Sequence, residues 1–403
     1  MHKHLKAWLI VFLILLAVGI YVSLLPLIWG SLLAVSLLLL SYIWSYFALH
    51  RMDLTVDFSS HKITAGEETE FVVTLENCKP LPVFWLKAFT YLSGGIDFKE
   101  DGYLQNVPGS RQYFEDIFRL NWYQRVKREY KLKPAKRGRY EITRSELAYK
   151  GFLGLVARNK GFDSAAELLV YPRLYSVVGK EFLPRQPLGT NMSSGWIFED
   201  RTNIVGVRDY QSGDDFKRIN WKISARHNKL KSDIYNPSLQ KNVEILLDIR
   251  TSRHKWEGYS PPVLENLISL TGSLAQDLLQ KNYAVGLVSN GILKKKGYLR
   301  IEPEQKAAQL EKMLTCLASL RPIYRYDIEH LIDKITGESE VILITARPDL
   351  LQGKSKKFPS TTRLLVPGSR TDGLPAGFRL YKCKFVRGSE GGCYQIQSHL
   401  NNK

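Results

Sequence analysis

Three carboxylates lie within one short polar segment, RDYQSGDDFKRINWKISAR, which runs from Arg208 to Arg226. Asp209, Asp214 and Asp215 could bind a divalent metal ion or supply the acid and base of a hydrolase, because clustered carboxylates serve both purposes. The segment also contains five cationic side chains, namely Arg208, Lys217, Arg218, Lys222 and Arg226. Internal ion pairing is therefore the favoured use of these carboxylates. We expect no catalytic residue here, and a metal-dependent hydrolase built on the three aspartates is the alternative.

The spacing of this segment predicts a polar turn followed by a short amphipathic helix. Gly213 marks the turn, and the adjacent Asp214 and Asp215 are favourable helix N-caps. Three apolar side chains would then share one helical face, namely Phe216, Ile219 and Ile223. We interpret Trp221 as a large apolar anchor that is buried at a domain junction. The segment is thus expected to hold a β-rich domain against an α/β domain.

The segment resembles the signature of the bacterial domain of unknown function 58 family, in which a tyrosine, a Gly-Asp turn, an Asn-Trp-Lys and an Ala-Arg occur at this spacing. The stretches LLVYPRL (Leu168–Leu174) and VEILLDIR (Val243–Arg250) are also similar to that family. The signature positions, which we take as candidate interaction residues, are Arg208, Asp209, Tyr210, Gly213, Asp214, Asp215, Asn220, Trp221, Lys222, Ala225 and Arg226. The resemblance implies a membrane-anchored, non-enzymatic scaffold or interaction protein. It also implies a MoxR-type AAA+ ATPase as a partner.

The N-terminal region contains an apolar run that is long enough for two membrane spans. No Asp, Glu, Lys, Arg or His interrupts the sequence from Ala7 to Leu49, and one span needs roughly 20 apolar residues. We predict a hairpin of two helices, Ala7–Leu25 and Leu27–Leu49, in the cell membrane. Basic residues flank only the outer ends of this run, at Lys3, Lys6 and Arg51. By the positive-inside rule, both termini are then cytoplasmic.

The rest of the chain divides into a β-rich part and an α/β part. Short alternating strands separated by turns predict a β-sandwich from residue 51 to 175. Residues 176–240 are the connector that includes the signature, and Ser176–Asn203 is expected to be an irregular loop. From residue 241 to 403, buried strands alternate with helices and predict a mostly parallel, Rossmann-type sheet that ends in two antiparallel edge strands. We therefore expect a multidomain chain that begins with a transmembrane hairpin at residues 1–50.

The first predicted strand of the α/β part ends in Asp248-Ile-Arg-Thr-Ser252, at the sheet edge where such folds bind ligands. This position resembles the metal-ion-dependent adhesion site of von Willebrand factor A domains, whose Asp-x-Ser-x-Ser loop holds Mg²⁺. Asp248 and Ser252 match its first and last positions, but Arg250 replaces the middle hydroxyl. Ala346-Arg347 stands where such domains often have Asp-Gly. Because a guanidinium repels a cation, we expect no metal here, and Asp248 either pairs with Arg250 or caps a helix.

Composition limits the other partners. The formal charge of +18 comes from dispersed basic residues. A solvated basic surface is the first interpretation, attraction to an anionic lipid surface the second, and nucleic acid binding the third. The spacings Gly19-xxx-Ser23 and Gly30-xxx-Ala34 leave a homodimer through the hairpin as an alternative. The sequence has no phosphate-binding glycine loop and no GxSxG or HExxH motif, so we expect no cofactor. The cysteines lack CxxC spacing and histidine partners, which argues against a zinc site.

Overall fold

The computed structural model describes residues 2–93, 104–107, 111–151, 154, 156–179, 198–211, 214–238, 242–293, 297–335, 339–359, 361–368, 375, 378–388 and 391–398. The chain divides into two compact units, Met1–Arg173 and Leu174–Lys403. The first unit holds two apolar helices and two mainly antiparallel sheets. The second unit is built on an eight-stranded mixed sheet.

Two apolar helices begin the first unit, α1 (His2–Val22) and α2 (Leu25–Ala48). Both are long and apolar enough to cross a membrane, with mean hydropathies of 2.5 and 2.0 over the candidate spans. Pro26 lies in the first turn of α2, where its missing N–H would have no partner inside the helix. One face of α2 is buried and carries mainly small side chains, namely Ser31, Leu38, Ser41, Ser45 and Ala48. This face allows close packing, and the predicted pair of apolar helices is confirmed.

The strands described in this unit are, in chain order, β1 (Met52–Phe58), β2 (Lys62–Thr64), β3 (Thr69–Asn77), β4 (Val83–Ser93), β5 (Leu104–Val107), β6 (Arg111–Leu120), β7 (Arg125–Leu132), β8 (Gly138–Lys150), β9 (Ala157–Phe162) and β10 (Glu167–Tyr171). One sheet has the order β1-β3-β7 and the other β2-β10-β8-β4-β6-β5, with β9 paired to β8. Buried and more exposed side chains alternate along β1 and β3, as in sheets with one solvated face. Both sheets contribute to one core, which includes Phe71, Phe114 and Leu147. The predicted β-rich part is therefore confirmed.

Helix α2 is joined to this core at its C-terminal end. Ala48 and Leu49 belong to the same hydrophobic cluster as the strand residues. The buried Lys79 ammonium donates a 2.6 Å hydrogen bond to the Ala48 carbonyl, at the helix end where the macrodipole favours a cation. Gly151 lies so close to α2 that a Cβ atom there would be 2.5 Å from Ser45 Oγ. The helices and the sheets therefore form one folded unit, and a truncated protein beginning at Arg51 would leave Lys79 without this acceptor.

The position of Lys79 predicts a pH dependence of stability. Burial, together with the nearby Lys160 ammonium, lowers the pKa of Lys79 from 10.5 to about 8. Between these two values the unfolded chain holds a proton that the folded protein has lost, so folding stability should rise with pH. We expect the melting temperature of the full-length protein in detergent to increase over this interval relative to that of a Lys79→Met variant. A difference between the two proteins that is constant across the interval would contradict this assignment.

The helices of the second unit are α3 (Trp221–His227), α4 (Pro261–Gln280) and α5 (Ala308–Ser319), and its strands are β11 (Ser176–Val178), β12 (Phe198–Asp209), β13 (Lys231–Ser238), β14 (Asn242–Leu247), β15 (Ala284–Ser289), β16 (Gly291–Ile292), β17 (Leu299–Glu304), β18 (Arg321–Tyr324), β19 (Glu340–Ile344), β20 (Arg363–Pro367), β21 (Arg379–Gly388) and β22 (Gly391–Ser398). The main sheet has the order β11-β22-β21-β20-β19-β14-β15-β17. Strand β14 runs parallel to both β15 and β19, and the parallel series continues through β20 to β21. Strand β14, which has parallel neighbours on both sides, is buried from Val243 to Leu247, as a central parallel strand should be.

Two details of the predicted second unit need correction. Ser176–Val178, expected to be part of an irregular loop, is a strand that pairs in parallel with β22. Residues 198–203 of the same predicted loop belong to β12, and residues 180–197 lie outside the described part of the chain. The C-terminal strands β21 and β22 pair antiparallel as predicted, but β11 covers β22, which is therefore not an edge. A three-residue strand shows too little alternation of buried and exposed side chains to be recognised from sequence. Its place is determined by main-chain pairing with β22.

Candidate functional site

The signature segment closes one end of the two-stranded β12–β13 sheet. Antiparallel pairing places Arg208 opposite Ser232 and Asp209 opposite Lys231, and residues 210–230 connect the two strands. The connection contains a 3₁₀ turn at Phe216–Arg218 and then helix α3. Two short helical pieces thus replace the single amphipathic helix that the spacing predicts. Separate capping groups explain the interruption, since each piece has its own N-cap.

Asp214 forms several of the hydrogen bonds in the turn that precedes the two helical pieces. Its carboxylate accepts a 2.5 Å hydrogen bond from the Arg208 guanidinium and a 3.0 Å bond from the Gln211 N–H. The Tyr210 hydroxyl donates to the Asp214 carbonyl at 3.2 Å. The Gln211 N–H, followed by Arg208, holds the pKa of Asp214 below its ordinary value. This carboxylate is therefore ionised and engaged in holding the turn.

Asp215 and Asn220 are the caps of the two helical pieces. The Asp215 carboxylate accepts a hydrogen bond from the Lys217 N–H at 3.1 Å. The Asn220 side chain accepts from the Ile223 N–H at 3.1 Å and donates to the Asp233 carboxylate at 2.8 Å. Asn220 therefore both starts α3 and ties it to β13. These side chains have structural roles that their residue types predict, although the sequence does not locate the break between the two pieces.

Asp209 forms an ion pair on the β12–β13 strand pair. Its carboxylate lies 2.7 Å from the Lys231 ammonium, and this contact lowers the pKa of Asp209. Asp209, Asp214 and Asp215 therefore have different partners. Within the described ranges, no group of three or more His, Cys, Asp or Glu side chains is placed to hold a metal ion. The arrangement gives no support to a shared catalytic cluster.

The apolar residues of the signature are arranged differently from the prediction. Trp221 is 67% exposed and Phe216 is 72% exposed, while Ile219 is buried at the base. The interpretation of Trp221 as a buried anchor is wrong, because the capping of α3 by Asn220 places the indole at the first helical position, outside the packed side. The other signature positions Lys222, Ala225 and Arg226 are exposed on α3, and Gly213 lies outside the described residues.

This surface, which we call the aromatic tip, consists of Phe216, Trp221 and Leu230. Leu230 is also largely exposed and immediately precedes β13. Phe216 lies near Tyr210, with 6.0 Å between the ring centroids. Exposed cationic residues in the same connection are Lys217, Lys222, Arg226 and Lys229. The connection thus exposes both apolar and cationic side chains, and several of its polar side chains form hydrogen bonds.

A second candidate site lies at the carboxyl end of β14, where Asp248 is completely buried. Its carboxylate accepts hydrogen bonds from Asn290 at 2.8 Å and Thr345 at 3.2 Å. The Arg250 guanidinium, only 6% exposed, approaches the same carboxylate with Nε at 3.0 Å and Nη2 at 2.9 Å. Arg250 also reaches Asp327, at 3.2 Å. A guanidinium therefore occupies the place beside Asp248 that a metal ion would need.

The electrostatics of Arg250 agree with this geometry. Burial alone lowers the pKa of Arg250, because it disfavours the charged guanidinium. The negative charges of Asp248 and then Asp327 have the larger combined effect, so the pKa of Arg250 is raised. Ser252 turns away from Asp248 and donates to the Gly258 carbonyl. Arg347 pairs with Asp349 at 2.7 Å. The remaining positions of the resembled metal loop therefore do not converge on Asp248.

Sequence reasoning did not identify the partners that complete the Asp248 site. Asn290 follows the end of β15 and Thr345 follows β19, and both strands are direct neighbours of β14. Polar residues directly after consecutive buried strands are the signal that could have located them. Both residues are far from Asp248 along the chain, so the cluster can be recognised only when the strand order is known.

The Asp248–Arg250 pair can be tested by a double-mutant cycle. Arg250→Met should lower the free energy of unfolding by roughly 3–5 kcal/mol, because it leaves a buried carboxylate without its cation. Asp248→Asn combined with Arg250→Met should recover part of this loss, since no buried charge then remains. Thermal denaturation of the full-length proteins would measure both effects. A double variant as unstable as Arg250→Met alone would contradict the pairing.

Residues 206–347 match the family described as "Protein of unknown function DUF58". Over 312 residues the chain is 26% identical to the uncharacterized protein YeaD of Bacillus subtilis. This alignment covers 75% of the chain and 71% of YeaD. The family match includes the whole signature from Arg208 to Arg226, the Asp248 site and Arg347.

Solved structures give weaker similarities. The CARDB domain of a Pyrococcus furiosus protein has a TM-score of 0.21 and 16% identity, covering 30% of this chain and 96% of that domain. The sporulation control protein Spo0M of Bacillus subtilis has a TM-score of 0.18 and 11% identity, covering 30% of this chain and 50% of Spo0M. TM-scores this low do not define a shared fold, so the description of the fold rests on the strands and their order.

Proposed function

We propose that this protein is a membrane-anchored, non-enzymatic interaction protein that uses its aromatic tip to bind a protein partner in the cytoplasm. The observation that carries the proposal is the exposure of Phe216 and Trp221 on a turn whose polar groups are paired internally. Large aromatic side chains contribute most strongly to binding when a partner covers them. Their exposure is otherwise unfavourable for a protein in water.

The frame of the aromatic tip supports a binding role because it limits the entropy lost on association. Asp214 fixes the turn through Arg208 and Gln211, and Asn220 fixes α3 through Asp233. A surface that is ordered before binding loses little conformational freedom when the partner arrives. The polar signature residues therefore position the aromatic side chains, and the aromatic side chains make the contact.

The borders of the tip indicate the chemistry of the partner. Lys217, Lys222 and Lys229 are exposed, so the complementary surface should present acidic groups around an apolar pocket. The similarity to the DUF58 family leads us to propose a MoxR-type AAA+ ATPase as this partner. The eight-stranded sheet, with its parallel strands β20-β19-β14-β15, supports a von Willebrand factor A-like unit as the body that carries the tip. In this proposal the metal of such domains is replaced by the Arg250 guanidinium.

The alternative of a metal-dependent hydrolase has less support. Asp209 is paired with Lys231, Asp214 with Arg208, and Asp215 with a main-chain N–H. A general acid and base need access to a shared substrate position, and a metal ion needs converging oxygen ligands. Separate structural partners provide neither arrangement.

A cytoplasmic partner requires the second unit, which ends at the C-terminus, to be cytoplasmic, and this can be tested directly. Charge flanks only the outer ends of the apolar run, so a hairpin that enters and leaves on the same side is expected. A cytoplasmically active reporter fused after Lys403 should therefore be active, and a periplasmically active reporter at the same position should not. The opposite pattern of reporter activity would exclude a cytoplasmic partner.

Partner retention by aromatic-tip variants tests the proposed function. Phe216→Ala and Trp221→Ala should each reduce retention of the ATPase in affinity purification from native membranes. Because both side chains are exposed, each substitution should change the free energy of unfolding by less than about 1 kcal/mol.

Trp256→Ala is the matched control, since Trp256 is an exposed tryptophan of the same unit outside the signature. Its retention of the ATPase should equal that of the unmodified protein. Equal retention by all three variants would contradict a binding role for the aromatic tip. Loss of a hydrolytic activity on Asp214→Asn, without loss of stability, would favour the hydrolase instead.

A further inference from the structure

We propose that the first unit binds one anionic glycerophospholipid, with an acyl chain in a groove beside α2 and the phosphate at Arg119 and Arg128. Two adjoining cavities carry this inference. The first, of about 370 Å³, is lined by Leu37, Leu40, Ser41, Trp44, Phe84, Trp85 and Tyr149. The second, of about 530 Å³, shares the side chains of Phe84 and Trp85 and extends to Ile117, Phe118, Arg119 and Arg128.

The first cavity has the character of an acyl-chain site. Its walls are apolar side chains of α2 on one side and of the β4–β8 sheet on the other. The lining residues of α2 begin at Leu37 and the helix ends at Ala48, which corresponds to about 17 Å along the axis. This length is about half of a hydrocarbon core of roughly 30 Å, which is the length that one acyl chain spans. A single lipid chain therefore matches the apolar stretch of α2 that borders the groove.

The second cavity supplies the charge that a lipid headgroup would recognise. The Arg119 guanidinium carbon lies 4.9 Å from the centre of the Phe84 ring, and that of Arg128 lies 4.4 Å from the centre of the Phe118 ring. Arg128 is held in place by Asp116 at 2.6 Å. Arg119 is exposed, and within the described part of the chain it forms no ion pair with a carboxylate. One fixed and one available guanidinium at the end of an apolar groove match a phosphate attached to an acyl chain.

The backbone between the two cavities has an unusual conformation. Trp85 has a φ angle of 55° and is 64% exposed, at an irregularity in the pairing of β4 with β6. A left-handed conformation is unfavourable for a bulky side chain and is retained where the surroundings require it. Here it places the indole on the surface shared by both cavities. A tryptophan is well suited to this position, because its ring favours the boundary between hydrocarbon and water.

Other contacts place this end of the sheets near the membrane surface. The Tyr123 N–H donates to the Lys79 carbonyl at 3.2 Å, and Lys79 itself bonds to the Ala48 carbonyl at the end of α2. Trp122 and Tyr123 are both largely exposed at the turn between β6 and β7. Exposed aromatic residues beside the end of a membrane-spanning helix are typical of the interfacial region. The site therefore lies where a lipid can enter from the cytoplasmic leaflet.

The two halves of the site can be tested by separate substitutions in the full-length protein. Leu40→Trp would fill the groove with a bulkier side chain. Leu39→Trp is its control, because both leucines are exposed on the same helix and only Leu40 lines the groove. Arg119→Gln would remove the available guanidinium. Lys127→Gln is its control, because Lys127 is exposed on the same unit and pairs with Glu129.

Each protein is prepared in detergent micelles that contain phosphatidylglycerol and phosphatidylcholine in equal amounts. Native mass spectrometry of the released protein then measures how many lipids of each kind stay bound. We expect one phosphatidylglycerol per chain, retained in preference to phosphatidylcholine. Arg119→Gln should reduce this preference by about fivefold, which corresponds to about 1 kcal/mol for one basic residue near an anionic headgroup. Leu40→Trp should remove the bound lipid, and both controls should behave like the unmodified protein.

Several results would overturn the proposal. Equal loss of lipid in Leu39→Trp and Leu40→Trp would indicate lipids that merely surround the helices. Unchanged preference in Arg119→Gln would exclude the headgroup site. Displacement of the signal by inorganic phosphate, with no retained lipid, would indicate a site for free phosphate. None of these results depends on the proposed protein partner, because the aromatic tip belongs to the other unit.

Discussion

The need to pair charges determines which parts of this protein are available for binding. The most demanding case is Asp248, whose fully buried carboxylate is compensated by the Arg250 guanidinium and by hydrogen bonds from Asn290 and Thr345. An unpaired carboxylate in such a place would cost several kcal/mol. The same principle holds at the surface, where Asp214 is engaged by Arg208. Asp248 and Asp214, two candidates for metal binding or hydrolysis, are therefore part of the structural framework.

The surfaces that we propose for binding are largely apolar, and one lies in each unit. In the second unit, the polar residues of the signature hold Phe216 and Trp221 at the surface. In the first unit, α2 and the β4–β8 sheet border an apolar groove that ends at two arginines. Basic side chains occur with the apolar ones in both places. We propose different partners for them, since one surface belongs to the unit that carries the two apolar helices and the other does not.

The main helices and strands could be predicted from the sequence, whereas the positions of several single side chains could not. The apolar run up to Leu49 and the alternating strands after it have periodicities that local chemistry determines, and both were confirmed. Trp221 was predicted to be buried because its size suggests a core residue, but the cap formed by Asn220 decides its orientation. The pairing of Arg250 with Asp248 was one of two alternatives that the residue types predicted, and the structure contains this pair. Asn290 and Lys79 were missed, because each acts on a group that is distant in sequence.

The most direct test of the proposed function is site-specific photocrosslinking in native membranes. A photoreactive amino acid at position 216 or 221 would report what contacts the aromatic tip, and the same amino acid at position 256 would serve as the control. We expect a crosslinked product with an AAA+ ATPase from positions 216 and 221, and none from position 256. Identical products from all three positions, or products with lipid alone from the aromatic tip, would contradict it.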